Sequence, residues 1–280
     1  MFRHHLIPAL GGATLLGAAL SAAPAVAATP GCYGDCQPGV VRSAGILKYD
    51  TTIGVNDRIT VAVSGGVLTV TNPAGTLTAG AGCTLVDAHQ ARCQAATSTF
   101  GISLRSLDGA DTVVNATGIA ASIKAGDGDD RVTGGSGDDT LSGGFGADVL
   151  QGGGGSDTAT YSEVGSRLGV TADLDGAAGD DGSSEDGPAG ARDTIAADVE
   201  NLVGTIVDDV LSGNAGRNVI DGRGGHDRVL GLGGDDDITA HGGGTLDGGA
   251  GADHCVSDLR LVPDPADVFV GCERTEVITP

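Results

Sequence analysis

The chain has 280 residues, of which 51 are Gly, whereas Phe, Tyr and Trp together make up 2%. This composition excludes an ordinary globular core built around large aromatic side chains, and it favours a narrow, repetitive architecture with small aliphatic residues inside. Acidic residues number 37 against 15 basic ones, for a formal net charge of -22. That charge excludes nucleic acid and anionic lipid as partners and makes cations the expected ligands.

Residues 1–27 have the features of a secretory signal peptide. Arg3 lies in a short basic start, an apolar stretch follows over residues 6–20, and small residues close the segment at Ala25 and Ala27. The alternative is a membrane anchor, but Pro and Gly interrupt the apolar stretch, which falls short of the roughly 20 apolar residues of a spanning helix. We therefore expect a cleaved signal, an extracellular protein and no membrane insertion.

All six cysteines follow the predicted signal peptide. An even number of cysteines in a secreted chain predicts disulfides. Their proximity along the chain suggests three local pairs, which are Cys32 with Cys36, Cys83 with Cys93, and Cys255 with Cys272.

Residues 28–106 are expected to form a small, disulfide-stapled β-rich region. Apolar and polar residues alternate in Arg58–Ser64 and again in Val67–Thr71, on either side of a Gly-Gly pair, which predicts a β-hairpin. A second hairpin is expected between Cys83 and Cys93. No part of this region has the pattern of a long amphipathic helix.

Internal repetition is the strongest signal in the chain. Residues 125–160 divide into four nonapeptides, AGDGDDRVT, GGSGDDTLS, GGFGADVLQ and GGGGSDTAT, without a slip in phase. Position six is always Asp and position eight is always aliphatic. We assign residues 107–160 to a first repeat array, at whose start Asp108 and Asp111 fit plain turn chemistry and metal binding equally well.

A second array follows an acidic, Gly-rich insert over residues 161–203, in which strands are also expected. This array covers residues 204–256 and is more degenerate. Val207 replaces a turn Gly, Asn218 replaces the Asp of position six, and one unit is a residue short and has no Asp at that position. Residues 257–280 are expected to form a C-terminal cystine cap.

The nonapeptide has a physical reason to bind a metal ion. Gly permits φ > 0, so six residues can form a tight loop before a short strand. Two nonapeptides make one coil, and stacked coils place parallel strands about 4.8 Å apart, so the position-six carboxylates stack as well. Their repulsion is strongly unfavourable without a counterion, and Ca2+, with about six to eight oxygen ligands, fits two facing loops better than Mg2+ does. The alternative is a metal-free solenoid in which Asp and Gly only form turns, and it stays open chiefly for Asp209.

The arrays resemble the RTX (repeats-in-toxin) family, whose hemolysin-type nonapeptides G-G-x-G-x-D-x-U-x bind Ca2+. The resemblance implies an all-β fold whose repeats form a parallel β-roll, or β-solenoid, with roughly four to six Ca2+ ions between neighbouring coils. It also implies that position-six residues pair across coils: Asp130 with Asp148, Asp139 with Asp157, Asp209 with Asp227, and Asp236 with Asp253. These eight aspartates are the expected metal ligands, and Asn218 opposite Asp236 would make a weaker site.

No catalytic site is expected. Neither H-E-x-x-H nor G-x-S-x-G occurs, and the histidines after the signal peptide are interpreted as solvated turn residues. The acidic pair Glu185 and Asp186 is interpreted as solvated charge, because no aromatic sugar platform lies nearby in the sequence.

The sequence therefore predicts a secreted calcium-ion-binding protein, not an enzyme, whose repeats fold into a β-roll when Ca2+ binds. Two alternatives stay open. One is a secreted hydrolase with an unrecognised site in residues 40–107 or 175–193, and the other is a calcium-stiffened adhesive or matrix protein. The sequence does not identify a protein or cell-surface partner.

Overall fold

A computed structural model describes residues 40–43, 46–94, 101–162, 168–260 and 265–280. The predicted signal peptide and the predicted Cys32–Cys36 pair lie outside these residues. Within them the secondary structure consists of β-strands without any α-helix. No helix in the described part is long and apolar enough to cross a bilayer.

The strands are short, as expected for a chain that turns after every few residues. In chain order they are β1 (Val40–Ser43), β2 (Ile46–Asp50), β3 (Arg58–Ser64), β4 (Val67–Thr71), β5 (Thr78–Ala79), β6 (Cys83–Asp87), β7 (Gln90–Gln94), β8 (Gly101–Arg105), β9 (Thr112–Ala116), β10 (Ala121–Asp127), β11 (Arg131–Gly135), β12 (Thr140–Phe145), β13 (Val149–Gly153), β14 (Thr158–Thr160), β15 (Thr171–Asp173), β16 (Thr194–Ile195), β17 (Asn201–Val203), β18 (Val210–Ser212), β19 (Val219–Gly224), β20 (Arg228–Leu230), β21 (Asp237–His241), β22 (Thr245–Asp247), β23 (His254–Asp258), β24 (Val268–Val270) and β25 (Arg274–Ile278).

The strands form three sheets, which we name A, B and C. Sheet A has the order β25-β23-β21-β19-β17-β14-β12-β10-β8-β2-β1-β5, sheet B the order β16-β13-β11-β9-β3-β4-β7-β6, and sheet C the order β15-β18-β20-β22-β24. Sheet A runs through both arrays, whereas sheet B lies opposite it in the first array and sheet C in the second. The sheet opposite sheet A changes from B to C within the insert, because β16 is the last strand of sheet B and β15 is the first of sheet C.

Parallel pairing follows the repeat in register. Ile123 pairs with Leu141 and Leu141 with Ala159, so equivalent positions of successive coils lie side by side. The pairing continues across the insert, since Ala159 pairs with Leu202. The chain is therefore a parallel β-solenoid, which confirms the predicted fold class.

The region before the repeats contains both predicted hairpins. Strands β3 and β4 pair antiparallel, as do β6 and β7. Strands β2 and β3 also pair in parallel with β8 and β9, so parallel stacking reaches to the N-terminal side of residue 107. The disulfides Cys83–Cys93 and Cys255–Cys272 are both present, as predicted.

The core is a thin stack of aliphatic side chains between two sheets. The position-eight residues Val132, Leu141, Leu150 and Ala159 are all buried, with exposed fractions of 0–1%. Each coil adds one such side chain per strand, so no large aromatic residue is needed inside the arrays.

Leu141 provides a test of this packing. Because the Leu141 side chain is fully buried between Ile123 and Ala159, we expect Leu141→Ala to lower the free energy of unfolding by about 2–5 kcal/mol. Urea unfolding in saturating Ca2+ measures this change. Thr140→Ala, at the exposed neighbouring position, is the control and should change stability by less than about 1 kcal/mol. Equal losses in the two variants would contradict the assigned core.

Candidate metal centres

Position-six residues, and their equivalents outside the regular nonapeptides, lie directly before the first residue of a strand. They stack in three columns, and each column follows the N-terminal ends of the strands of one sheet. Column A contains Asp139, Asp157, Glu200, Asn218, Asp236, Asp253 and Glu273. Column B contains Asp57, Asp111, Asp130, Asp148 and Asp193. Column C contains Asp209, Asp227 and Asp267, with Gly244 of the short unit between the last two.

The structure brings together all four aspartate pairs that the sequence predicts. In each pair the backbone N–H of one residue donates to the Oδ1 of the residue one coil further on. The donor–acceptor distances are 2.8 Å for Asp130–Asp148, 2.8 Å for Asp139–Asp157, 3.0 Å for Asp209–Asp227 and 2.9 Å for Asp236–Asp253. The same bond joins Asn218 to Asp236 at 2.8 Å.

In nine of the column aspartates the second carboxylate oxygen has no hydrogen-bond partner in the described structure. The Oδ2 atoms are buried and accept no hydrogen bond in Asp57, Asp111, Asp130, Asp139, Asp148, Asp157, Asp227, Asp236 and Asp253. A buried carboxylate oxygen without a partner is costly. The described part of the chain shows no ion pair between a position-six carboxylate and a basic side chain. Among the described residues the columns therefore have no ion-pair partner, and the only basic side chain that lowers the pKa of Asp236 is Arg217.

For six of the unpartnered aspartates, the Gly at position one keeps a gap open beside the carboxylate. These glycines are Gly134, Gly143, Gly152, Gly222, Gly231 and Gly248. A Cβ atom on Gly134 would lie 2.6 Å from Asp139 Oδ2 and 2.6 Å from the carbonyl oxygen of Gly152 in the next coil. The gap at Gly231 has the same two kinds of neighbour, Asp236 Oδ2 and the Gly248 carbonyl. Both of these gaps are thus lined by a carboxylate oxygen and a main-chain carbonyl oxygen, the ligand types that Ca2+ prefers.

Burial and mutual repulsion disfavour the charged form of these carboxylates. Burial raises the pKa of Asp130 and Asp139 to about 7 and the pKa of Asp148 to about 8. Neighbouring carboxylates raise the pKa further, as Asp111 does for Asp130, while the bond from a backbone N–H lowers it. A bound cation would remove this penalty by supplying positive charge.

Asp209 differs from the other predicted ligands. Its Oδ2 accepts a hydrogen bond from the Thr205 N–H at 2.7 Å, and its Oδ1 accepts one from the Thr205 hydroxyl at 2.9 Å. Both oxygens are therefore satisfied by the protein. Thr205 occupies position two, where the regular repeat has Gly, so the change in sequence explains the change in geometry.

Sequence reasoning missed several column members outside the regular repeats. Asp57 was not singled out, although the segment NDRIT around it matches the segment DDRVT around Asp130. Similarly, ADVFV around Asp267 matches ADVLQ around Asp148, and RDTI around Asp193 resembles DDTL around Asp139. The local pattern was thus present, but long intervening segments hide the repeat period. Asp111, which the sequence left undecided, lies in column B between Asp57 and Asp130.

The raised pKa values predict how the metal-free protein responds to pH. The folded-state pKa values of about 7 to 8 exceed the unfolded value of 3.8, so the folded chain binds more protons in this interval. The stability contributed by these groups is present below about pH 4 and is lost as pH rises through about 7 to 8. In a chelator we expect the free energy of unfolding to fall over this interval, by up to about 1.4 kcal/mol per pH unit for each shifted carboxyl.

Urea unfolding followed by circular dichroism at several pH values measures this dependence. Saturating Ca2+ is the control, because the bound cation should preserve the fold at about pH 8. A metal-free stability that rises with pH over the same interval would contradict the assignment of buried, uncompensated carboxylates.

The gap at Gly134 can be filled without straining the backbone, because its φ lies outside the left-handed region. We expect Gly134→Ala to remove one bound Ca2+, since the added methyl group would take the space between Asp139 Oδ2 and the Gly152 carbonyl. Gly154→Ala is the matched control, since its nearest neighbours lie 3.9 Å away and its φ is also ordinary. Equilibrium dialysis counts the ions bound by each variant. Equal ion counts for the two would argue against a cation in the gap.

Comparison with known proteins gives one family match. A model of the RTX calcium-binding nonapeptide repeat matches this chain in four copies, over residues 124–159 and 203–238. A search of curated proteins gives no match. The matched segments coincide with the regular part of the first array and most of the second, where the columns and gaps recur from coil to coil. These two segments of the solenoid are therefore RTX calcium-binding nonapeptide repeats.

Proposed function

We propose that this chain is a secreted protein that binds several Ca2+ ions and completes its fold as they bind. The observation that carries the proposal is the set of buried Oδ2 atoms without a partner, repeated along columns A and B and present at Asp227 in column C. Ions that bind only the folded chain stabilise it by mass action. The family match supports calcium as the ligand.

The residues that would hold the ions are those predicted from the repeat. They are Asp130, Asp139, Asp148, Asp157, Asp227, Asp236 and Asp253, together with main-chain carbonyls of the facing loops, and Asp209 with its different hydrogen bonding. Four predicted pairs and the Asn218–Asp236 pair agree with roughly four to six ions. When bound, Ca2+ supplies the positive charge that the columns lack, and the protein residues orient the oxygens and exclude water.

Coupling between binding and folding follows from the thin core and the acidic columns. One aliphatic side chain per strand gives each coil little hydrophobic stabilisation, while the stacked carboxylates oppose folding as long as they are charged. A site affinity of about 0.1 to 1 mM, typical of extracellular modules, would leave the chain unfolded where free Ca2+ is scarce and folded outside the cell. The two disulfides suit an oxidising, extracellular compartment.

A binding function without catalysis is part of this proposal. The signal peptide over residues 1–27 would direct export. Histidine contacts support a structural role for these side chains: the His89 ring nitrogen Nδ1 lies 2.8 Å from the Gly75 carbonyl, and that of His226 lies 2.6 Å from the Gly243 carbonyl. Both contacts tie loops together.

The test is far-UV circular dichroism of the purified protein, disulfides intact, titrated with Ca2+ and in parallel with Mg2+. We expect a cooperative gain of β signal with Ca2+ only. Asp139→Asn should raise the Ca2+ midpoint several-fold, because the amide keeps the oxygen that accepts a hydrogen bond but removes the charge. Asp138→Asn is the control, because Asp138 is exposed and its Oδ1 only accepts a hydrogen bond from Ser156 N–H.

Three results would contradict the proposal. The first is a spectrum that is already that of the folded chain in chelator and does not change with Ca2+, with no ion bound by calorimetry. The second is an equal response to Mg2+. The third is an Asp139→Asn midpoint equal to that of Asp138→Asn.

A further inference from the structure

The last coil that the structure describes has an open strand edge in each of its two sheets. Strand β25 lies at one end of sheet A and strand β24 at one end of sheet C, and no strand within the described residues pairs with the outer edge of either. The Cys255–Cys272 disulfide ties this coil to the coil before it. An open strand edge is a template on which another strand can pair, so this end of the solenoid is a candidate interaction surface.

The main-chain groups of Thr275 point to the open edge of β25. The Arg274 N–H donates to the Asp253 carbonyl at 2.9 Å. Further along the strand, the Leu259 N–H donates to the Ile278 carbonyl at 2.8 Å. Alternate residues of a strand in a parallel sheet bond to the same neighbouring strand, so the even-numbered residues of β25 bond to β23. Thr275 therefore directs its N–H and its carbonyl away from β23.

Phe269 has the same position in β24. The Val268 N–H donates to the Gly244 carbonyl at 2.9 Å. The Gly248 N–H donates to the Val270 carbonyl, also at 2.9 Å. Both bonds connect β24 to the coil before it. The main-chain groups of Phe269, between the two valines, therefore point to the open edge.

Thr275 and Phe269 face each other across the last coil. Each is a position-eight residue, because it lies two residues after a member of column A or column C. Their pairing partners in the coil before, Cys255 and Leu246, are both fully buried. The two side chains therefore point inward from opposite sheets, and an axis perpendicular to both sheets can pass close to both residues.

A second copy of β25 matches the open edge of β25 in charge. Antiparallel pairing about Thr275 places Arg274 of each copy opposite Glu276 of the other, and both side chains are exposed in the single chain. Directly opposite charges stabilise an antiparallel pair. In this register the two Thr275 residues exchange main-chain hydrogen bonds through the groups that point to the open edge.

A second copy of β24 matches the open edge of β24 in the same way. Antiparallel pairing about Phe269 places Val268 of each copy opposite Val270 of the other. These two side chains have exposed fractions of 61% and 44%. Cross-strand contact between them would bury apolar surface that the single chain leaves in water.

We propose that this end of the solenoid binds a second copy of the chain, β25 to β25 and β24 to β24, about one two-fold axis. Sheets A and C then continue from one copy into the other. A two-fold interface closes on itself, so association stops at the dimer. A head-to-tail contact fits less well, because the other end of sheet A is β5, which spans only Thr78–Ala79. The inference goes beyond the proposed function and requires only the folded chain.

The first test reverses the facing charges. In Arg274→Glu two acidic side chains oppose each other twice across the axis, and in Glu276→Arg two basic ones do. Each variant should raise the dimer dissociation constant about fivefold or more. The double variant Arg274→Glu/Glu276→Arg should restore it, and an equimolar mixture of the two single variants should form a mixed dimer. Sedimentation equilibrium from micromolar to millimolar protein, with Ca2+ present, measures these constants.

The second test removes a hydrogen-bond donor from the open edge. Thr275→Pro takes away an N–H that does not bond to β23, and edge strands accept Pro at such positions. The variant should keep the far-UV circular dichroism of the folded chain and lose the dimer. Thr275→Val is the matched control, because it keeps the N–H and the branched side chain, and it should still form the dimer.

Four results would overturn the inference. They are a wild-type protein that is folded and monomeric at all concentrations, wild-type assembly that continues beyond the dimer, a double charge variant no better than the two single variants, and Thr275→Pro that forms the dimer as well as Thr275→Val. The first of these would mean that the charges of β25 only protect the edge from pairing. The rescue by the double variant keeps the test decisive if Thr275→Pro does not fold.

Discussion

Repulsion between buried carboxylates is the constraint on which the rest of this structure depends. Parallel pairing in register brings each position-six residue under its equivalent in the next coil, and one N–H···Oδ1 bond per coil orients it inward. In nine of these aspartates the other oxygen is then buried without a partner. A thin aliphatic core offsets few such groups, so we expect the arrangement to be most stable when protons or cations neutralise the columns.

Glycine makes this geometry possible and also makes it costly in backbone entropy. At Gly144 the φ angle is +118°, and a Cβ atom there would collide with the Gly126 carbonyl of the preceding coil. Only a residue without a side chain lets the loops approach this closely. Gly also loses more backbone entropy on folding than any other residue. For a chain with 51 Gly, this entropy cost supports the proposal that bound ions contribute to the stability of the fold.

The regular repeats made most of the fold predictable, because an unbroken phase fixes the register of every strand from Arg131 to Thr160. The same reasoning did not identify Asp57, because strands β4 to β7 separate it from Asp111 and hide the repeat period. It also treated Asp209 as a regular position, because the period of the array does not reveal that Thr205 at position two would satisfy both carboxylate oxygens. The first difference arises from the long segment inserted between equivalent positions, and the second from a local side-chain contact that the repeat period alone does not encode.

The insert shows most clearly why a break in a repeat is not a break in the fold. Residue spacing changes from 18 to 45 between Asp130–Asp148 and Asp148–Asp193, yet sheet A continues without interruption, because Ala159 pairs directly with Leu202. Both arrays therefore share one sheet while their opposite faces use different sheets. Stabilising either array stabilises a strand of the other across β14 and β17. Because β14 and β17 pair directly, we expect that an ion bound in one array would favour the strand arrangement of the other, and that the two arrays fold as one cooperative unit.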